Sequence, residues 1–176
     1  MEKLFLHVCC APCAAYPLEW FRDRRPSLEL EAWFYNPNIH PGGEFRRRRD
    51  SLAYLALRQG LKVDFSAPYD AADLLAALGA ESSARCRVCY AWRFQAAAGE
   101  AARRGHRAFA TTLAFSKRQK HDLILEEGRR AAAAHGLEFF YEDWRPGWTR
   151  GHEITRDLGL YRQSHCGCLF SEWERR

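Results

Sequence analysis

The run Leu4-Phe5-Leu6-His7-Val8-Cys9-Cys10-Ala11-Pro12-Cys13 constrains this chain more than any other stretch, because an apolar segment the length of one strand passes directly into three cysteines within five residues. A strand of four or five residues carries its C-terminal end to the edge of a sheet. Pro12 suits the first turn of a following helix, where an amide has no partner to lose. The sulfurs therefore fall where open α/β sheets bind ligands, and the stretch reads as the floor of a metal site. Cys9 and Cys10, as neighbours on one strand end, are expected to point in different directions.

The remainder alternates between strand and helix patterns. A short helix is expected from Ala14 to Arg24, with Pro17 interrupting its first turn, then a strand from Leu28 to Tyr35 and a loop from Asn36 to Gly43. Glu44 to Gln59 reads as a helix closed by Gly60, Lys62 to Ser66 as a strand, and Tyr69 to Leu78 as a helix capped by Gly79. After a polar stretch at Ser82 to Arg87 come an alanine-rich helix from Val88 to Arg104, stopped by Gly105, and a strand from Arg107 to Leu113. Ser116 is the expected N-cap of a helix from Lys117 to His135 that Gly136 terminates. Leu137 to Tyr141 is a fifth strand, and a helix ending at Leu158 leads into a tail with Cys166 and Cys168. The pattern predicts one doubly wound α/β domain over residues 1–176, with a mainly parallel five-stranded sheet and a cysteine-bearing C-terminal tail.

With 47% hydrophobic residues in 176, a real core forms without disulfide staples. No apolar run approaches the roughly 20 residues of a membrane span, and Glu2 and Lys3 precede a strand too short for a signal segment, so a cytoplasmic protein without membrane contact is expected. The seven cysteines are odd in number, and reduced thiols follow from that setting. A formal charge of +5 is compatible with a polyanionic partner and says little more.

The seven cysteines fall into three clusters: Cys9, Cys10 and Cys13 after the first strand, Cys86 and Cys89 opening a helix, and Cys166 and Cys168 in the tail. A Cys-x-x-Cys at a helix N-terminus places two sulfurs about one turn apart, where free amides and the dipole lower their pKa. Buried cysteines as small core hydrophobes explain such clustering poorly. Dithiol redox chemistry at Cys10-Ala11-Pro12-Cys13 needs only two of the seven. Several converging thiolates need a cation between them, and metal coordination supplies one. Zinc or a 4Fe-4S cluster takes four ligands, so seven suggest a cluster with a second metal or with catalytic thiols, and spacing alone does not separate iron from zinc.

Other polar groups are placed around that centre. The loop Asn36-Pro37-Asn38-Ile39-His40-Pro41 follows the second strand, Thr111 and Thr112 end the fourth, and Ser116 with Lys117 could hold an anion at a helix start. Arg46 to Arg49 read equally as phosphate contacts or as a solvated helix face. Trp144, Arg145, Trp148, Tyr161 and Arg162 have a composition suited to stacking an extruded base, or to aromatic core packing.

Together the runs His7-x-Cys9-Cys10-Ala11-Pro12-Cys13, Tyr35 to Pro41, Cys86-x-x-Cys89-Tyr90, Thr111-Thr112-Leu113 with Ser116 and Lys120, and Tyr161-Arg162-Gln163-Ser164-His165-Cys166-Gly167-Cys168 resemble QueH-type epoxyqueuosine reductases across nearly the whole chain. The resemblance implies a Rossmann-like, nucleotide alpha hydrolase-like fold. It also implies a 4Fe-4S cluster with an adjacent mononuclear iron, and reductive removal of the epoxide oxygen from epoxyqueuosine at the tRNA wobble position. A tRNA substrate and an external electron donor follow from it. On that footing Cys10, Cys86, Cys89 and Cys168 are assigned to the cluster and Cys9, Cys13 and Cys166 to the second iron. Catalytic roles fall to His7, His40 and Cys13, either histidine donating a proton, and substrate contacts to Asn36, Asn38, Ser116, Lys117, Arg145 and Arg162. The competing readings are a zinc-stabilised tRNA-binding module and a tRNA sulfur-transfer enzyme. The latter wants a glycine-bearing phosphate loop after the first strand, where this chain has cysteines.

Overall fold

The computed structural model describes residues 2–78 and 84–173, so the cap expected at Gly79 and the start of the polar stretch at Ser82 lie outside the described residues. The sheet is built from β1 (Lys3–His7), β2 (Glu29–Trp33), β3 (Lys62–Asp64), β4 (Ala108–Thr111) and β5 (Glu138–Phe139), in the order β3-β2-β1-β4-β5. Every adjacent pair is parallel. Leu4 to His7 are buried because β1 is central and helices cover both faces, which is why its sequence is a continuous apolar run rather than an alternation.

Among the described residues there are seven α-helices: α1 (Ala11–Arg24), α2 (Gly42–Gln59), α3 (Ala72–Leu78), α4 (Arg85–Arg103), α5 (His121–Ala134), α6 (Trp148–Asp157) and α7 (Leu169–Trp173). Pro12 stands in the first turn of α1, while Pro17 lies inside the helix, forgoing one amide bond instead of breaking the first turn. One boundary departs clearly from expectation. Ser116 caps no long helix, since Thr112–Phe115 wind as a 3-10 turn and α5 starts only at His121. Its start is set from another helix: the Tyr90 hydroxyl of α4 accepts the Lys120 amide at 3.2 Å. The Ser116 hydroxyl instead accepts the Arg118 amide at 3.2 Å.

The core closes around aromatic rings on α1. Trp144, 1% exposed, packs edge-on against Phe21 at 5.5 Å and Trp20 at 6.2 Å, and so belongs to the core rather than to a base-stacking surface. No helix among the described residues is long and apolar enough to cross a membrane.

Away from the sites, Arg104 joins three elements by pairing with Glu31 on β2 at 2.7 Å, with Asp64 on β3 and with Glu100 on its own helix. Burial resists ionisation of Asp64, but hydrogen bonds from Arg104 and Ser66 outweigh it and hold the carboxyl down at about 2. A folded-state value below the unfolded one adds stability that is complete above about pH 4 and is lost as pH falls through 2. Acid titration of thermal stability should therefore show a loss between about pH 4 and 2 of at most roughly 2 kcal/mol from this carboxylate, and Arg104→Met should flatten that slope. An identical slope in the variant would refute the assignment.

Candidate metal centre

The strand order places a topological switch point at β1, whose neighbours β2 and β4 are reached by connections running in opposite directions. Cys9 and Cys10 leave β1 there, and Cys13 follows in the first turn of α1. Their three sulfurs are buried and lie within 4.8 Å of one another. Cys9 and Cys10 do not diverge: their sulfurs are 3.6 Å apart, because Cys10 has left the strand and occupies the N-cap of α1. A tetrahedral ion with metal–sulfur bonds of about 2.3 Å spaces its sulfurs about 3.8 Å apart, so the trio has the dimensions of a site for one ion.

Hydrogen bonds organise the trio. The Cys9 amide donates to Thr112 Oγ1 at 3.2 Å, whose hydroxyl lies 3.5 Å from the Cys9 sulfur. Gln163 Nε2 donates to the Cys10 sulfur at 2.9 Å and approaches that of Cys13 at 3.7 Å. Thiol hydrogen bonds from Cys10 and Cys13 hold Cys9 well below the usual thiol range against the effect of burial. Burial pushes Cys10 up, and Cys13 is pushed up because its proton is held by those bonds.

The other four cysteines line one cavity together with Asn38, His40 and Arg93. Cys86 and Cys89 come from the first turns of α4. Cys166 and Cys168 come from the tail, with sulfurs 3.5 Å apart. The Cys168 thiol hydrogen bond brings Cys166 down to about 5, against burial. At Cys89 the expected lowering by the helix terminus is absent, since burial pushes that thiol up. Cys166 also lines the neighbouring cavity of about 130 Å³ that holds the trio, so the two thiol groups are contiguous. The grouping differs from the division expected from sequence: Cys10 stands with Cys9 and Cys13, and Cys166 with Cys168, Cys86 and Cys89.

The tail is strapped onto α2. Arg48, 2% exposed, pairs with buried Glu44 at 2.7 Å and donates to the carbonyls of His165 and Cys166 at 3.0 Å each. The His40 amide donates to the Gly167 carbonyl at 2.8 Å. Gly167 has φ +110°, and a Cβ there would come within 2.9 Å of Ile39 and 3.0 Å of Arg48, so only glycine fits between the two cysteines.

The expected catalytic and substrate residues separate into three kinds. His7 is fully buried: the Tyr35 carbonyl takes its Nε2 proton at 3.0 Å, the Thr111 hydroxyl occupies Nδ1 at 2.8 Å, and burial with the Arg93 charge lowers it to about 3. Both of its ring nitrogens are therefore engaged by the protein itself. Asn36 is engaged in the same way, donating to the Val8 carbonyl at 2.9 Å and accepting from Arg93 at 2.6 Å. His40 and Asn38 line the four-thiol cavity, and His40 Nε2 and Asn38 Oδ1 have no partner among the described residues. Ser116 and Arg162 line the trio's cavity, whereas Lys117 lies over the Trp148 ring, which does line it. Arg145 is taken up by Asp143 at 2.6 Å and reaches neither cavity.

Arg93 and Gln163 belong to the centre without standing out in the sequence as candidates, and Arg48, which reads there as a phosphate contact or part of a solvated face, is buried against the tail instead. For Arg48 a signal exists: Phe45, Arg48, Leu52 and Leu55 share the buried face of α2, so this arginine sits in the apolar stripe while Arg46, Arg47 and Arg49 do not.

A parallel sheet of order 3-2-1-4-5 with seven unbridged thiols gathered at its switch point defines a Rossmann-like protein with a thiol ligand centre. The family model described as epoxyqueuosine reductase QueH matches residues 4–174, and the chain belongs to that family. Among its relatives, the epoxyqueuosine reductase QueH of Thermotoga maritima is 36% identical, covering 100% of this chain and 93% of the relative. That of Dehalococcoides mccartyi is 34% identical over 98% and 94%, and that of Acinetobacter baylyi 32% over 97% and 80%.

Proposed function

We propose that this chain reduces epoxyqueuosine in the tRNA anticodon to queuosine, in the cytoplasm, with electrons from an external donor. The observation that carries the reading is the division of seven thiols into a close trio and a four-thiol cavity sharing one wall, within a chain of this family. The overall change adds two electrons and two protons, breaks both C–O bonds of the epoxide, forms a C=C bond and releases water.

The donor sets fit the groups that this family implies. Cys86, Cys89, Cys166 and Cys168 match the four thiolates of a 4Fe-4S cluster, and Cys9, Cys10 and Cys13 would hold a single iron with a position left for substrate. When bound, such groups supply single electrons and a Lewis acid that weakens a C–O bond. The chain's own residues do the rest. The trio's cavity is walled by Arg118, Arg162, His152, His165 and Trp148, with no Asp or Glu among its described lining residues, which suits a phosphate-bearing nucleotide whose base stacks on the indole. His40 and His165 each keep a buried Nε2 without a partner among the described residues, and these imidazoles are placed to supply protons.

Anaerobically reconstituted protein should carry about five irons and four labile sulfides per chain. With a strong reductant it should convert epoxyqueuosine in tRNA to queuosine, read by nucleoside mass analysis. Intact epoxide beside an intact cluster would overturn the assignment. Bound zinc without labile sulfide would favour a zinc-stabilised tRNA-binding module instead.

A further inference from the structure

Arg93 is a buried cation without a carboxylate partner among the described residues. It lies on α4 one turn beyond Cys89, is 3% exposed, and lines the four-thiol cavity. One terminal nitrogen donates to Asn36 Oδ1 at 2.6 Å and stands 3.5 Å from His7 Nε2, whose proton is already engaged by the Tyr35 carbonyl. Its Nε has no partner among the described residues.

The contrast with its peers is informative. Arg48 and Arg104 are each paired with carboxylates, at 2.7 Å to Glu44 and to Glu31. Among the described residues no carboxylate pairs with Arg93, and none lines either thiol cavity. A guanidinium does not shed its proton, and burying one unpaired is costly. The negative charge facing it must come from the thiolates or from what they hold. The place of Arg93 is fixed by Asn36, which is itself tied to the Val8 carbonyl next to Cys9.

We propose that Arg93 is the built-in counter-charge of the metal centre, a positioning residue that makes the group held by Cys86, Cys89, Cys166 and Cys168 easier to reduce. This rests on the cluster reading of the four-thiol cavity. Each electron accepted from the donor makes that group more negative by one unit, and a fixed cation in a low-dielectric wall favours the reduced form over the oxidised one. The asparagine keeps the guanidinium from swinging away as the charge changes.

The test compares Arg93→Lys and Arg93→Met with the unmodified chain, all reconstituted anaerobically, by iron and sulfide content and by dithionite titration followed by electron paramagnetic resonance. Arg93→Met should retain cluster iron while its one-electron reduction equilibrium falls about tenfold, which is a potential about 59 mV more negative. Arg93→Lys should stay within about threefold of the unmodified chain, a shift under about 30 mV. Assembly in the lysine variant but not the methionine variant would also support a need for positive charge. A loaded methionine variant at an unchanged potential, or failure of both variants to load, would overturn the proposal. Absence of iron and sulfide from the unmodified chain would instead overturn the cluster reading beneath it.

Discussion

Replacing Arg48 with methionine should lower the stability of the fold by about 3–5 kcal/mol and leave the tail cysteines unable to complete the four-thiol cavity. Arg48 and Glu44 are each 2% exposed, and removing the cation leaves the buried carboxylate only the exposed Arg47 at 2.9 Å and the Tyr161 hydroxyl at 2.6 Å as partners. The same cation holds the carbonyls of His165 and Cys166, so the loss falls on the ligand loop as well as on α2. For a chain of this size the melting temperature should fall by roughly 10 °C. Cluster iron should fall with it, while the trio, held from β1 and α1, should keep its affinity. Replacing both partners in Glu44→Leu with Arg48→Met should recover stability but not the loop, since no donor to the two carbonyls returns. Unchanged melting in the single variant would contradict the strap.

The second large effect separates the thiol groups. Cys10→Ser should lower kcat/KM by at least about 100-fold, more than the loss typical of a group that only orients a ligand. It should cost about one iron per chain and leave labile sulfide in place, because Cys10 stands 3.6 Å from Cys9 and belongs to the trio. Cys89→Ser should abolish turnover to a similar degree but remove sulfide together with most of the iron. Iron and sulfide assays on anaerobic protein distinguish the outcomes. Parallel loss of sulfide in both variants would mean that Cys10 is a cluster ligand, the division that sequence alone suggests.

Much of the fold is legible locally. Gly60, Gly105 and Gly136 end their helices with positive φ, and that requirement is written in single residues. The apolar run at Leu4 to Val8 announces a central parallel strand for a similarly local reason. The start of α5 is not local, because Tyr90 on another helix takes up the Lys120 amide. The site divides the same way. Clustered cysteines advertise ligand chemistry at any distance, but which sulfurs meet depends on how the tail docks, and that depends on Arg48. Arg93 carries no mark in the sequence, since what sets it apart is a missing carboxylate in three dimensions. His7 and Asn36 are legible as residues of the centre but not in their roles, because both spend their polar atoms on backbone and neighbours rather than on a ligand.

The strap between α2 and the tail has a consequence for how the protein is made. The trio is encoded by residues 9 to 13 and the thiols that share its wall by residues 166 and 168. A ribosome extending the chain at about 5–20 residues per second exposes the first group roughly 8–30 s before the last is available. For the first part of that interval β1 lacks β4 beside it, and until the tail docks Gln163 does not reach the Cys10 sulfur, so the nascent chain carries three adjacent thiols more open to oxidants and stray metals than in the finished fold. Loading of the finished centre therefore waits until the tail has been made and docked, and oxygen tension during translation should govern how much of the protein becomes competent.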